Sequence, residues 1–273
     1  TIAFCAEMES GYVIYDLSGN TIEYSPTSSS PYSDLKGDLY YAGPLEYLTK
    51  TSTDYKNLRT GEILTDEQFN EVTESFTNER IKLSSTNFMS SSAPRANSGL
   101  RTTVSKVSGT PRKLNYNTGE QCGALAAVIN LCYIDDYKDK NCLSDSYSKS
   151  PSNLFNKLNS YIPGPASCYD IANGLNNARN ANVFHTSSSA KTYRGTDSWG
   201  LCLYRISSTD LPTILLVNSH PNYSGYNHWV LSYGIVQCYN NNKIIDKYFI
   251  INDGYGKNDV RIKYTYQDDS VYF

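Results

Sequence analysis

The spacing of apolar and polar positions divides the chain into a helix-rich stretch followed by a strand-rich one. From Gly123 to Tyr133 Asn130 is the only strongly polar side chain, and Ala124, Leu125, Val128, Ile129 and Cys132 recur at helical spacing. Such a run predicts a buried helix. Thr118-Gly119 just before it is loop chemistry, which puts Cys122 at or near the helix start. Earlier in the chain, Thr65 with Gln68 forms a capping box and Leu64 with Phe69 a hydrophobic staple. Phe69, Val72 and Phe76 supply the apolar stripe of that helix, and Glu67, Glu71, Glu74 and Glu79 its solvent face. Ser150-Pro151 starts a third helix, with Leu154, Phe155 and Leu158 facing inward. Residues 167–179 predict a fourth on Ile171, Leu175 and Ala178.

Strand patterns lie at both ends. Residues 11–16 and 21–24 flank the turn Ser18-Gly19-Asn20 and predict a hairpin. A breaker-rich loop covers 25–33, and Leu39-Tyr40-Tyr41 is a short strand stopped by Gly43-Pro44. Residues 201–206, 213–217, 228–236, 248–252 and 260–264 are β-rich runs separated by turn chemistry. Helices followed by strands predict an α+β fold, with helices packed on a mainly antiparallel sheet. Residues 84–110 are Ser-rich, carry Pro94, Gly99, Arg95 and Arg101, and lack apolar periodicity. They predict a linker or exposed crossing that divides the chain into 1–100 and 101–273. Limited proteolysis is expected to cut there first.

Composition narrows the function. The 273 residues carry a net charge of −3 with no basic run and no acidic tail, so nucleic acid is not an expected partner. No apolar run is long enough to span a bilayer. There is no signal peptide, and the sequence starts at Thr1 without Met, which leaves room for a removed leader. Tyr, Ser and Asn are abundant, as in extracytoplasmic proteins. Seven Cys, an odd number, would leave one free in a fully paired framework. No Cys/His spacing of zinc type occurs among them and the three His, so neither a metal nor another cofactor is expected.

Three short motifs carry candidate chemistry. A helix N-terminus presents unpaired N–H groups and a positive dipole end, which favour a thiolate at Cys122. A free thiol titrates near roughly 8.5, and such placement lowers this by about a unit or more. His228 opens the strand His228-Trp-Val-Leu-Ser-Tyr-Gly after the polar loop 221–227, a position suited to a catalytic group on a rigid scaffold. Asn252-Asp253 closes the run from Tyr248 and is followed by Gly254-Tyr255-Gly256. Taken singly, each has an ordinary structural reading: a buried or paired cysteine, a histidine at a strand end, a hairpin turn. His185 and His220 are rivals in less ordered contexts.

The ordered set Glu120-Gln-Cys-Gly-Ala-Leu-Ala-Ala, Asn227-His-Trp-Val-Leu-Ser-Tyr-Gly and Phe249-Ile-Ile-Asn-Asp-Gly-Tyr-Gly resembles the papain-like cysteine peptidase superfamily. The likeness covers roughly residues 112–265 and is nearest to the bacteriocin-processing-like and streptopain-like branches. It implies a papain-like fold, Cys122 as nucleophile, His228 as general base and acid, and Asn252 as the group that orients the imidazole. The oxyanion donor of such enzymes is a Gln upstream of the Cys; here Asn117 stands five positions before Cys122, with Gln121 adjacent to it. Asn117 is the expected donor. The N-terminal motifs Glu9-Ser-Gly-Tyr-Val-Ile-Tyr-Asp and Glu23-Tyr-Ser resemble the strand-rich propeptides of streptopain-like peptidases. Residues 1–100 are accordingly a pro-region over the cleft or a permanent accessory domain. The resemblance implies a secreted or cell-surface bacterial thiol protease, as a proenzyme or with a permanent N-terminal domain, acting on protein or peptide. Two alternatives stay open: a peptidoglycan amidase or endopeptidase of the same fold, and a papain-fold binding module without turnover.

Overall fold

The structure, a computed structural model, describes residues 3–33, 35, 39–70, 100–116, 120–194, 198–218 and 227–273. It is a mixed α/β protein built on a large antiparallel sheet with few helices. The sheet contains β1 (Ala3–Glu7), β2 (Tyr12–Asp16), β3 (Thr21–Ser25), β8 (Leu100–Lys106), β9 (Lys191–Tyr193), β10 (Thr213–Asn218), β11 (Asn227–Asn240), β12 (Lys243–Asn252), β13 (Val260–Lys263) and β14 (Gln267–Tyr272). Their order is β1-β2-β3-β13-β12-β11-β10-β14-β9, with β8 also on β11. The predicted N-terminal hairpin is therefore part of this sheet, since β3 pairs with β13 through Tyr24–Arg261 and Glu23–Ile262. A separate four-stranded sheet holds β4 (Leu39–Tyr41), β5 (Tyr47–Lys50), β6 (Tyr55–Asn57) and β7 (Ile63–Leu64).

The helices that follow β8 are α1 (Cys122–Tyr137), α2 (Asp145–Ser148), α3 (Pro151–Leu158), α4 (Cys168–Asn180) and α5 (Ser198–Tyr204). Ser167 caps α4 in a capping box with Asp170, and Pro151 occupies the first turn of α3. The apolar face of α1 packs with Leu154 and Leu158 of α3 and with Ile171 and Leu175 of α4 in one core, which also takes Ile214, Trp229 and Leu231 from the sheet. Leu215, Val217 and Val230, one residue along on the same strands, enter a second core with Tyr12, Ile14 and Ile22. This is the period-2 alternation of a strand buried on both faces. The capping box of Thr65 and Gln68 is formed, and Phe69 packs near Leu64. Val72, Phe76 and the glutamates after Glu67 lie outside the described residues.

Two sequence expectations are corrected. Residues 201–206 are not a strand: α5 covers most of them, and Arg205–Thr209 continues as a π-helical turn. Trp199, Cys202 and Ile206 are buried at helical spacing, a pattern a short apolar run does not distinguish from a strand. The Ser-rich segment is not all linker, since residues 100–106 form β8 against Gly234–Asn240 of β11. This strand is mostly exposed, so main-chain pairing holds it and no apolar periodicity advertises it. Gly234 permits the approach, because a Cβ there would meet the Ser105 carbonyl oxygen at 2.9 Å. Residues 84–99 lie outside the described residues.

A buried carboxylate ties the two sheets together. Glu23 accepts from the Tyr12 hydroxyl at 2.5 Å, from the Tyr47 hydroxyl, and from the Leu45 main-chain N–H at 3.0 Å. Burial raises its pKa in spite of these donors. The fold then binds a proton that the unfolded chain releases, so this stabilisation is present below the unfolded pKa near roughly 4.5 and is lost as pH rises through the folded value. Glu23→Gln is expected to flatten that part of the stability–pH curve, as read by urea unfolding between pH 4 and 7; an unchanged curve would contradict it.

Candidate active site

Helix α1 begins at Cys122, with Gln121 at its N-cap and the first helical bond running from Leu125 N–H to the Gln121 carbonyl. The main-chain N–H groups of Trp229, Gly123 and Cys122 itself are close enough to the Cys122 sulfur to favour its thiolate. Trp229 follows His228 at the start of β11, where His228 sits opposite Val217 of β10. The helix start and the strand start thus meet at the sulfur.

His228 is only 3% exposed. Its Nε2 lies 2.7 Å from the main-chain oxygen of Asp253. A carbonyl oxygen only accepts, so Nε2 carries the proton and Nδ1 keeps a free lone pair. The Tyr255 ring packs at 5.1 Å from the imidazole. Gly254, at φ +73°, lies between His228 and helix α1: a Cβ there would stand 3.4 Å from Leu125 Cδ2 and 4.0 Å from His228 Nε2. The three sequence motifs therefore converge in one place.

The role expected of Asn252 needs correction. Its amide nitrogen donates to the Arg112 carbonyl at 3.1 Å and to Asn258 Oδ1 at 2.6 Å, and its oxygen accepts from Gly254 N–H at 3.0 Å. None of these bonds reaches His228. Asn252 builds the turn whose next carbonyl, that of Asp253, holds the imidazole. The Asp253 carboxylate accepts from the main-chain N–H groups of Tyr255 at 2.8 Å and Lys257 at 2.9 Å, as the turn reading expected. Asn258 donates to the Pro111 carbonyl at 2.8 Å, which secures the segment leading toward α1. Asn117 lies outside the described residues, as does His220. His185 is exposed and neighbours Cys142, to whose carbonyl its main chain bonds, rather than Cys122.

Two predictions follow from this turn. Asn252→Ala removes the acceptor of the Gly254 N–H and the donor to Asn258 Oδ1 in a buried place, which costs about 1–3 kcal/mol for an unpaired group. It is expected to lower the melting temperature first and to impair the site only through the turn. Melting with the temperature unmoved would contradict this. Gly254→Ala forces a side chain into the left-handed region at about 1 kcal/mol or more and displaces the Asp253 carbonyl. The expected result is a reduced rate of Cys122 alkylation, and an unaltered rate would contradict it.

Burial dominates the electrostatics. It pushes the Cys122 thiol up, opposed by the Trp229 N–H, by Arg59 and by the N–H groups of Gly123 and Cys122. The lowered thiol pKa expected from the helix start is therefore not found, because desolvation outweighs those donors. Burial also pushes the His228 imidazole well down; Arg59 adds to this and the Asp253 carbonyl opposes it. Burial thus favours the neutral thiol at Cys122 and the neutral imidazole at His228.

No family model matches the chain, and no curated protein matches its sequence. All seven cysteines are free thiols, so the odd count does not single out Cys122. Among the described residues no cluster of three or more His, Cys, Asp or Glu is arranged to hold a metal, and no helix is long and apolar enough to cross a membrane.

Sequence reasoning missed Arg59, which reaches the site from the turn after β6. Its guanidinium lies 4.7 Å over the Tyr255 ring and pairs with Glu46. Nothing in the local sequence signals this, because the contact joins residues nearly two hundred positions apart.

Proposed function

We propose that the chain is a papain-like cysteine peptidase, with Cys122 as nucleophile and His228 as general base and acid on a protein or peptide substrate. One observation carries the reading: the Cys122 sulfur at a helix start, beside the strand that begins with a buried His228 whose Nε2 is tied off by a carbonyl. That tie leaves Nδ1 to move the proton. As the sulfur attacks the substrate carbonyl carbon, Nδ1 takes the thiol proton. Main-chain N–H at the helix start, with Asn117 as the expected second donor, receives the developing oxyanion. The imidazolium returns its proton to the leaving amine, and water then hydrolyses the thioester through the same base. The Asp253 carbonyl keeps the ring oriented throughout, the part assigned to the Asn252 side chain in the resemblance.

Incubation with casein and with purified peptidoglycan tests the reading. Casein cleavage that is lost in Cys122→Ala supports it. Release of peptides from peptidoglycan alone would move the activity to a cell-wall amidase or endopeptidase. The raised thiol and depressed imidazole also favour a second reading, a module without turnover. Failure of a thiol-directed peptidase inhibitor to label Cys122 would select it.

A further inference from the structure

We infer that Arg59 is a positioning residue of the candidate site, holding Tyr255 against His228 and bringing a positive charge to the site. The N-terminal segment is then a working part of the site rather than a cover to be removed. The inference deepens the peptidase reading and rests on it for the catalytic meaning, but not for its test.

The turn that carries Arg59 is closely built. Asn57 Oδ1 accepts the main-chain N–H of Arg59 at 2.9 Å and of Thr60 at 3.1 Å. The Gly61 N–H bonds to the Asn57 carbonyl at 2.8 Å, and Leu58 N–H to the Tyr47 carbonyl at 2.7 Å. The side chain is 7% exposed, and only Nη2 engages the Glu46 carboxylate, whose other oxygen accepts Asn57 Nδ2 at 2.7 Å. Glu46 is fixed in turn, because the preceding Leu45 N–H bonds to Glu23.

This is an unusual way to spend a buried arginine. A structural Arg–carboxylate pair favours the two-point fork. Here Nε and Nη1 are buried without a hydrogen-bond partner among the described residues, and the guanidinium instead covers the Tyr255 ring. Idle buried donors are costly, so the arrangement serves the ring and the charge more than the ion pair. The far face of the contact is the site, since the Tyr255 and His228 rings are 5.1 Å apart. The guanidinium, rather than the Glu46 carboxylate, lies on the Tyr255 ring, so the positive end of the pair faces the site, and its charge acts on both Cys122 and His228. The other ionisable groups around the cluster are Glu62 and Tyr47 on the N-terminal side, and Asp253, Tyr255 and Lys257 on the turn.

A cation here favours the thiolate and disfavours the imidazolium. Its loss raises the thiol pKa further. The test is the pH dependence of iodoacetamide alkylation at Cys122, followed by peptide mass mapping in the full chain. Arg59→Gln is expected to slow alkylation at pH 8 by about tenfold, the change that one pKa unit produces. Arg59→Lys, which keeps the charge, is expected to recover most of the rate. A pH–rate profile unchanged in Arg59→Gln overturns the inference. Should that variant not fold, Arg59→Met with Glu46→Gln removes both charges without stranding either. The same slowing is expected there, and an unchanged profile, or loss of the fold in this variant too, overturns the inference and makes Arg59 structural. Alkylation needs no substrate. A protein inert toward casein whose Cys122 profile still moves with Arg59 sinks the peptidase reading and keeps this one.

Discussion

Cys122→Ala is expected to lower kcat on a peptide substrate by about four orders of magnitude or more, the scale on which removal of a nucleophile acts. The fold should tolerate it. The sulfur is half-buried at the first residue of α1 and closes no disulfide. The substitution removes one atom from the edge of a core otherwise built by Leu125, Val128 and Ile129. Melting should therefore stay close to that of the unaltered protein while activity disappears. Retained hydrolysis with Cys122→Ala would transfer the chemistry to another group.

His228→Gln is expected to cost about a hundredfold to ten-thousandfold in kcat, the range for a lost general base. This variant also has a stability signature. Burial depresses the imidazole pKa, so between its folded value and roughly 6.5 the unfolded chain binds a proton that the fold refuses. The fold thus gains stability as pH rises through that window and loses it as pH falls below roughly 6.5. His228→Gln should remove this acid-side loss, which denaturant unfolding at pH 5 and pH 7 would detect. A variant as acid-sensitive as the original would mean that His228 is not held neutral in the fold.

The sequence shows the elements better than it shows the contacts among them. Helix α1 is legible because its apolar run has no other use, and the strands from His228 and to Asn252 are legible from composition and turn chemistry. The α5 helix is not, because four or five apolar residues satisfy both periods. β8 is hidden for a different reason, since main-chain pairing rather than burial defines it. At the site, the turn chemistry of Asn252-Asp253-Gly254 is legible, but it speaks for side chains only. The imidazole is held by a main-chain carbonyl, a donor–acceptor choice that no residue type announces. The thiol reading fails on magnitude, because a helix start and burial oppose each other and the sequence does not set their balance. Arg59 lies beyond local reasoning altogether, being brought to Tyr255 by the packing of one segment on another.

The most direct measurement is labelling by a thiol-directed peptidase inhibitor, mapped over all seven cysteines in the native chain and in His228→Gln. Modification is expected at Cys122 in preference to the exposed Cys5 and to Cys132, Cys142 and Cys168, and is expected to be lost in His228→Gln. Labelling concentrated at any other cysteine, or labelling of Cys122 that is indifferent to His228, would contradict a nucleophile–base pair.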